Sequence, residues 1–135
     1  MGFLGSAALP RRTAPKDYPA MLTTSPWGTP DYQAIVGPGI TLVTTPRHGG
    51  FHLAPAQLAQ VPLAWRLARF GDAATADSPW FEEDCDACMV VLTFHQEFSA
   101  EQIIRAAQTH AACIRPKLAP GPATRADAAI RQQKL

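Results

Sequence analysis

The residues of this chain best suited to chemistry are histidines, acids and thiols, and they fall in two short stretches. His48 and His52 stand four apart in TTPRHGGFHLAP (44–55), and Cys85 and Cys88 form a C-x-x-C behind Glu82, Glu83 and Asp84 in SPWFEEDCDAC (78–88). Two histidines with two cysteines are an allowed set for structural zinc. These histidines, however, flank Gly49 and Gly50 in an expected turn, so no helix fixes their separation. The cysteines are expected one turn apart inside a helix, where two small buried thiols on a core face explain the spacing equally well. Thiol redox chemistry needs a positive microenvironment, whereas Glu82, Glu83, Asp84 and Asp86 surround these thiols with negative charge. No metal or other cofactor is expected.

The sharpest enzymatic arrangement is a Cys/His hydrolase or transferase. Cys85 would be the nucleophile, His48 the base and Glu82 or Asp84 the orienting carboxylate, with Glu83 completing the acidic group. The N–H groups near Gly49 and Gly50 would form an oxyanion hole. The plainer account is that the acids start a helix and the glycines make a turn. The thiol also suffers from the arrangement, because the acids that could orient His48 oppose formation of the Cys85 thiolate.

These residues must be positioned by the elements around them. DYQAIV (31–36) and ITLVTT (40–45) read as strands joined by GPG (37–39), a connection that suits a hairpin. PRHGG turns the chain again, its glycines available for positive φ, and FHL (51–53) is a third short strand. APAQLAQVPLAWRLARF (54–70) switches to helical spacing, with Pro55 at the first helical position and Pro62 a break. Ser78, Pro79 and the acids at 82–84 predict a helix start, continuing through CDACMVVLTF, with a strand over Met89–Val91 as the alternative. Ser99 and Gln102 form a capping-box pattern that opens a helix over about 100–115, stopped by Pro116. The expected fold is α+β: a small antiparallel sheet of about three strands packed by three or so helices.

Length and composition set the outer limits. A chain of 135 residues suits one domain with tails, and its net charge of +1 offers no general attraction to nucleic acid. The expected organisation is a loosely ordered Pro/Ala-rich arm (1–24), a single domain (25–115) and a Pro-broken basic tail (116–135). Three cysteines cannot all pair within one chain, which favours a reducing compartment, the cytoplasm by default. No apolar run approaches the ~20 residues of a membrane span, and no basic residue precedes the apolar patch in MGFLGSAALPRR, so neither an anchor nor a secretory leader is expected. Phosphate loops, dinucleotide fingerprints, Ser-centred elbows and H-E-x-x-H patterns do not occur. Trp27 in SPWG and Trp80 in SPWF are large apolar anchors beside turns, placed to edge a core or to centre an interface.

SPWG (25–28), GPGITLVTTPRHGGFHL (37–53) and WFEEDCDACMVVLTF (80–94), in that order, resemble the blocks of DUF7007, a bacterial domain of unknown function. That domain recurs in proteins of phages, plasmids and other mobile elements. The resemblance covers about residues 25–115 and implies that a site, if built, gathers His48, Glu82, Glu83, Asp84 and Cys85. Two positions depart from the pattern: Ala87 stands where an aromatic is usual, and Cys88 where a small apolar residue is usual. His52 falls at a variable position. The C-x-x-C is thus this chain's own, which weakens zinc and redox readings further. The leading expectation is a non-enzymatic accessory that binds another protein, with the Cys85–His48 enzyme and a structural zinc protein as alternatives.

Overall fold

The structure, a computed structural model, describes residues 21–71 and 75–118. Its sheet is a four-stranded antiparallel meander in the order β1 (Tyr32–Gly37), β2 (Ile40–Thr44), β3 (Gly49–Leu53) and β4 (Trp80–Glu82). Between β3 and β4 lie two short helices, α1 (Pro55–Leu58) and α2 (Leu63–Leu67). After β4 come α3 (Ala87–Thr93), a 3₁₀ turn (His95–Glu97) and α4 (Ala100–Thr109). A π-helical turn (His110–Ile114) then leads into α5 (Arg115–Leu118). The class is α+β. Among the described residues no helix is long and apolar enough to cross a membrane.

Strand alternation decides which side of the sheet carries the core. The register aligns Leu42, Phe51 and Phe81 across β2, β3 and β4, and Ile40 with Leu53. These five side chains therefore share one face, against which Met89 and Val90 of α3, Phe94, Ala106 of α4 and Ile114 pack. The opposite face carries Thr41, Val43, Gly50, His52, Trp80 and Glu82. Val43 is fully buried there yet stands outside the helix-side cluster, so something else covers this second face.

Several local signals act as their chemistry predicts. Gly39 takes a φ of +71° in the β1–β2 connection, the left-handed region that glycine enters without cost. Pro55 opens α1, and Pro62 separates α1 from α2. The Ser99 hydroxyl accepts from the Gln102 N–H at 3.1 Å, and the Gln102 side chain accepts from the Ser99 N–H at 2.8 Å, a complete capping box.

Three expectations are corrected. Residues 80–82 form a fourth strand rather than the first turn of a helix, and α3 starts only after Asp86. The edge of β3 supplies unpaired backbone groups, and Trp80–Phe81–Glu82 alternates correctly for a strand whose inner side chain, Phe81, is fully buried. Gly49 and Gly50 lie inside β3 rather than in the turn before it, and neither has a positive φ. Pro116 does not end the last helix. Across the π-turn the Arg115 N–H donates to the His110 carbonyl, a bond that needs no donor from Pro116, and the helix runs on to Leu118. Most of the expected arm (1–24) and tail (116–135) lies outside the described residues. Within the arm, Leu22 is held by the Gln33 side chain, which accepts from its N–H at 3.0 Å and donates to its carbonyl at 2.6 Å.

Candidate functional site

Two turns and one strand edge build a cavity on the second face of the sheet. In the first turn, the Ser25 hydroxyl accepts from the Trp27 N–H at 3.1 Å and donates to the Gly28 carbonyl at 2.7 Å, while Gly28 adopts a φ of +118°. In the second, the Thr45 hydroxyl accepts from the N–H groups of Arg47 and His48, at 3.2 and 3.1 Å, and donates to the His48 carbonyl at 2.8 Å. The same hydroxyl lies 3.3 Å from the Trp27 carbonyl and so ties the two turns together. Each turn is locked by a hydroxyl that replaces backbone partners, the arrangement that Ser-Pro and Thr-Pro sequences favour.

The glycines of β3 let Trp27 close onto the sheet. A methyl group on Gly50 would collide with the Phe81 carbonyl and would lie 2.7 Å from Cη2 of Trp27. One on Gly49 would lie 2.8 Å from the Val43 carbonyl. Close approach of backbone and indole therefore requires small residues here, and turn geometry does not. Trp27 meets Trp80 edge-to-face at 5.4 Å, and His52, directly opposite Trp80 on β3, packs against it at 4.7 Å. Burial draws the His52 imidazole below its ordinary range.

The outer edge of β4 is sealed by a buried guanidinium. Arg69 is only 4% exposed and donates to the carbonyls of Ser78 (2.7 Å), Trp80 (2.9 Å), Arg66 (2.9 Å) and Thr75. Its guanidinium lies 4.4 Å over the Phe81 ring. In effect it stands where a fifth strand would pair. Asp86, 1% exposed, accepts from the N–H groups of Phe70 and Gly71 at 2.9 to 3.2 Å, and the charges of Arg69 and Lys117 favour its ionised form. Burial nonetheless pushes its carboxyl above the ordinary range.

The cavity enclosed by these parts has a volume of about 330 Å³, at the small end of the range for ligand sites. Trp27 and Trp80 give it aromatic walls, Arg69 and Asp86 a buried polar side, and Arg47, His48 and Glu82 its titratable lining. His48 Nδ1 lies 3.6 Å from Glu82 Oε2. This is too long for a hydrogen bond.

Of the five residues singled out from sequence, the structure brings His48 and Glu82 together. Glu83 and Asp84 are exposed, and the Glu83 N–H closes the β3–β4 pairing on the Gly49 carbonyl at 2.9 Å. Cys85 does not line the cavity; the neighbouring thiol is Cys113. The interaction with Cys113, then burial and the neighbouring Asp86 and Asp84, push the Cys85 thiol up to about 11. Burial first, then the same acid Asp86, pushes Cys88 up to about 12. Among the described residues no three His, Cys, Asp or Glu side chains gather as a metal-holding group. Sequence reasoning missed Arg69 and Asp86, because each draws its meaning from carbonyls and N–H groups on other segments. A family model described as "Domain of unknown function (DUF7007)" matches residues 20–130. No curated protein and no solved structure matches the chain.

Proposed function

The chain belongs to the family that this model describes, and from that premise we propose that it is an accessory module that binds another protein through the Trp27–Trp80 cavity. The partner belongs to a mobile element or to its bacterial host, and the encounter takes place in the cytoplasm, where three unpaired thiols are at home. One observation carries the reading. The cavity unites the two hydroxyl-locked turns with the edge of β4 and presents indoles, an imidazole and a carboxylate, but no thiol. Aromatic walls with a few convergent polar groups suit the capture of a protruding side chain.

The His48–Glu82 approach favours a second reading, acid–base catalysis on a bound substrate. With Cys85 outside the cavity lining, that reading has to use water as the nucleophile. Its one hydroxyl candidate, Ser78, already accepts from the Trp80 N–H at 3.4 Å.

Selection of a displayed random-peptide library on the full chain tests the binding proposal. Enriched peptides are expected to lose binding to Glu82→Gln and Trp80→Leu proteins that remain folded. Enrichment indifferent to both substitutions overturns it. Turnover of a panel of activated esters and phosphoesters that is abolished by His48→Ala transfers the case to catalysis.

A further inference from the structure

We propose that the guest of this cavity is a basic side chain of the partner, above all an arginine guanidinium, held between an indole face and the Glu82 carboxylate. The proposal rests on the binding reading above and names its ligand class. Four acidic or basic side chains besides His48 line the cavity, and two of them are already satisfied. Arg69 spends four of its five N–H groups on backbone carbonyls, and both Asp86 oxygens accept from the Phe70 and Gly71 N–H groups. Glu82 is different. Its side chain is 25% exposed, and among the described residues its nearest charge partner is His48 at 3.6 Å, beyond hydrogen-bond range. A half-buried carboxylate with open acceptor sites facing a cavity calls for a donor, and a planar guanidinium can engage both of its oxygens at once.

The aromatic lining points the same way. Two other aromatic rings already carry cations of this chain: Arg69 lies over Phe81 at 4.4 Å, and Lys117 over Phe70 at 3.8 Å. Among the described residues Trp27 and Trp80 carry none. They are the better ring type for such stacking, and Trp80 is packed against both Trp27 and His52. Arg47 opposes the guest, but it stands exposed in the turn, where solvent screens its charge. That opposition gives the experiment a signed control.

The test is isothermal titration of the full chain with three capped pentapeptides, Gly-Gly-X-Gly-Gly, where X is arginine, citrulline or glutamate. Citrulline keeps the shape of arginine and removes the charge. The arginine peptide is expected to bind at least tenfold more tightly than the citrulline peptide, and the glutamate peptide not at all. Glu82→Gln is expected to weaken arginine binding tenfold or more, whereas Arg47→Ala strengthens it two- to threefold. Equal binding of arginine and citrulline, tighter binding of glutamate, or a loss of affinity in Arg47→Ala each overturns the proposal. The citrulline comparison uses unmodified protein, so misfolding of a variant cannot protect the idea. Peptides that bind in a cavity-dependent way with no preference for arginine refute the ligand class alone. Absence of any cavity-dependent peptide in the library selection refutes the binding reading beneath it.

Discussion

Replacing Arg69 with methionine keeps much of the stem's packing and removes the guanidinium. The carbonyls of Arg66, Thr75, Ser78 and Trp80 then lose a charged donor, and the Phe81 face loses its cation. Each buried carbonyl left without a partner costs about 1–3 kcal/mol, and the cation–π contact contributes about 0.5–2 kcal/mol. Water entering through the cavity can reach Ser78 and Trp80, which lowers the sum. A net loss of about 3–5 kcal/mol follows, a large part of the ~5–15 kcal/mol that holds an ordinary domain together. For a domain of this size, Tm should fall by roughly 12–40 °C. Urea and thermal denaturation followed by circular dichroism measure it. Arg69→Lys should recover only part, since an ammonium cannot fork to carbonyls on both sides. Adding Asp86→Asn to Arg69→Met should cost less than the sum of the single changes by about 0.5–3 kcal/mol, because Asp86 no longer carries a buried charge deprived of Arg69. A methionine variant within ~1 kcal/mol of the parent, or strict additivity with Asp86→Asn, refutes the view that Arg69 seals the edge of β4.

Gly50→Ala should displace Trp27 and destabilise the chain by about 1–3 kcal/mol, visible as a shifted Trp27 indole resonance; an unmoved indole with unchanged stability contradicts the close-approach argument. Cys85, with its thiol pushed up to about 11 from an ordinary 9.0, should react with iodoacetamide at pH 8 roughly ten- to 100-fold more slowly than an unperturbed thiol; rapid labelling followed by mass spectrometry revives the nucleophile. Burial holds the His52 and His110 imidazoles below their ordinary value of 6.5. The unfolded chain therefore binds more protons between that value and the folded ones, and stability should drop as pH falls below about 6.5. Denaturation midpoints from pH 8 to 5 should flatten in a His52→Asn, His110→Asn double variant; an unchanged slope shows that other groups set the dependence.

What was legible in the sequence is what short-range chemistry decides. The Ser99–Gln102 cap, the break at Pro62 and the glycine turn at 37–39 each involve partners within a few residues, so their side chains announce them. Strand β4 is the opposite case. Ser78, Pro79 and three acids satisfy every local rule for a helix start, yet pairing with β3, some thirty positions earlier, wins. Backbone hydrogen bonds, a buried Phe81 and the Arg69 seal outweigh a cap and a dipole worth about 1 kcal/mol each. The candidate site divides along the same line. The pairing of β3 with β4 sets Glu82 opposite Gly50, and this brings Glu82 near His48 at the start of the strand. Cys85, three residues past Glu82, has already left the sheet and lies outside the cavity lining.

Several features that break ordinary rules of stability converge on the cavity. Two glycines inside a strand weaken it. Buried charges such as Arg69 and Asp86 are often no more stabilising than well-packed apolar residues of similar volume. A half-exposed imidazole facing a carboxylate beyond bonding distance leaves both to solvent or to a guest. Scattered over the surface, these would be unrelated compromises. Here Gly50 admits Trp27, Arg69 fixes the carbonyls of Ser78 and Trp80, and His48 with Glu82 faces the space that those three enclose. Local disagreement with stability concentrates at functional sites. The helix-side core, by contrast, rests mainly on apolar contact among Ile40, Phe51, Leu53, Phe81 and Met89. A fold that required only that core could replace Trp27, Gly50 and Arg69 with simpler residues. Their presence together is intelligible as the framework of a cavity held open for a guest.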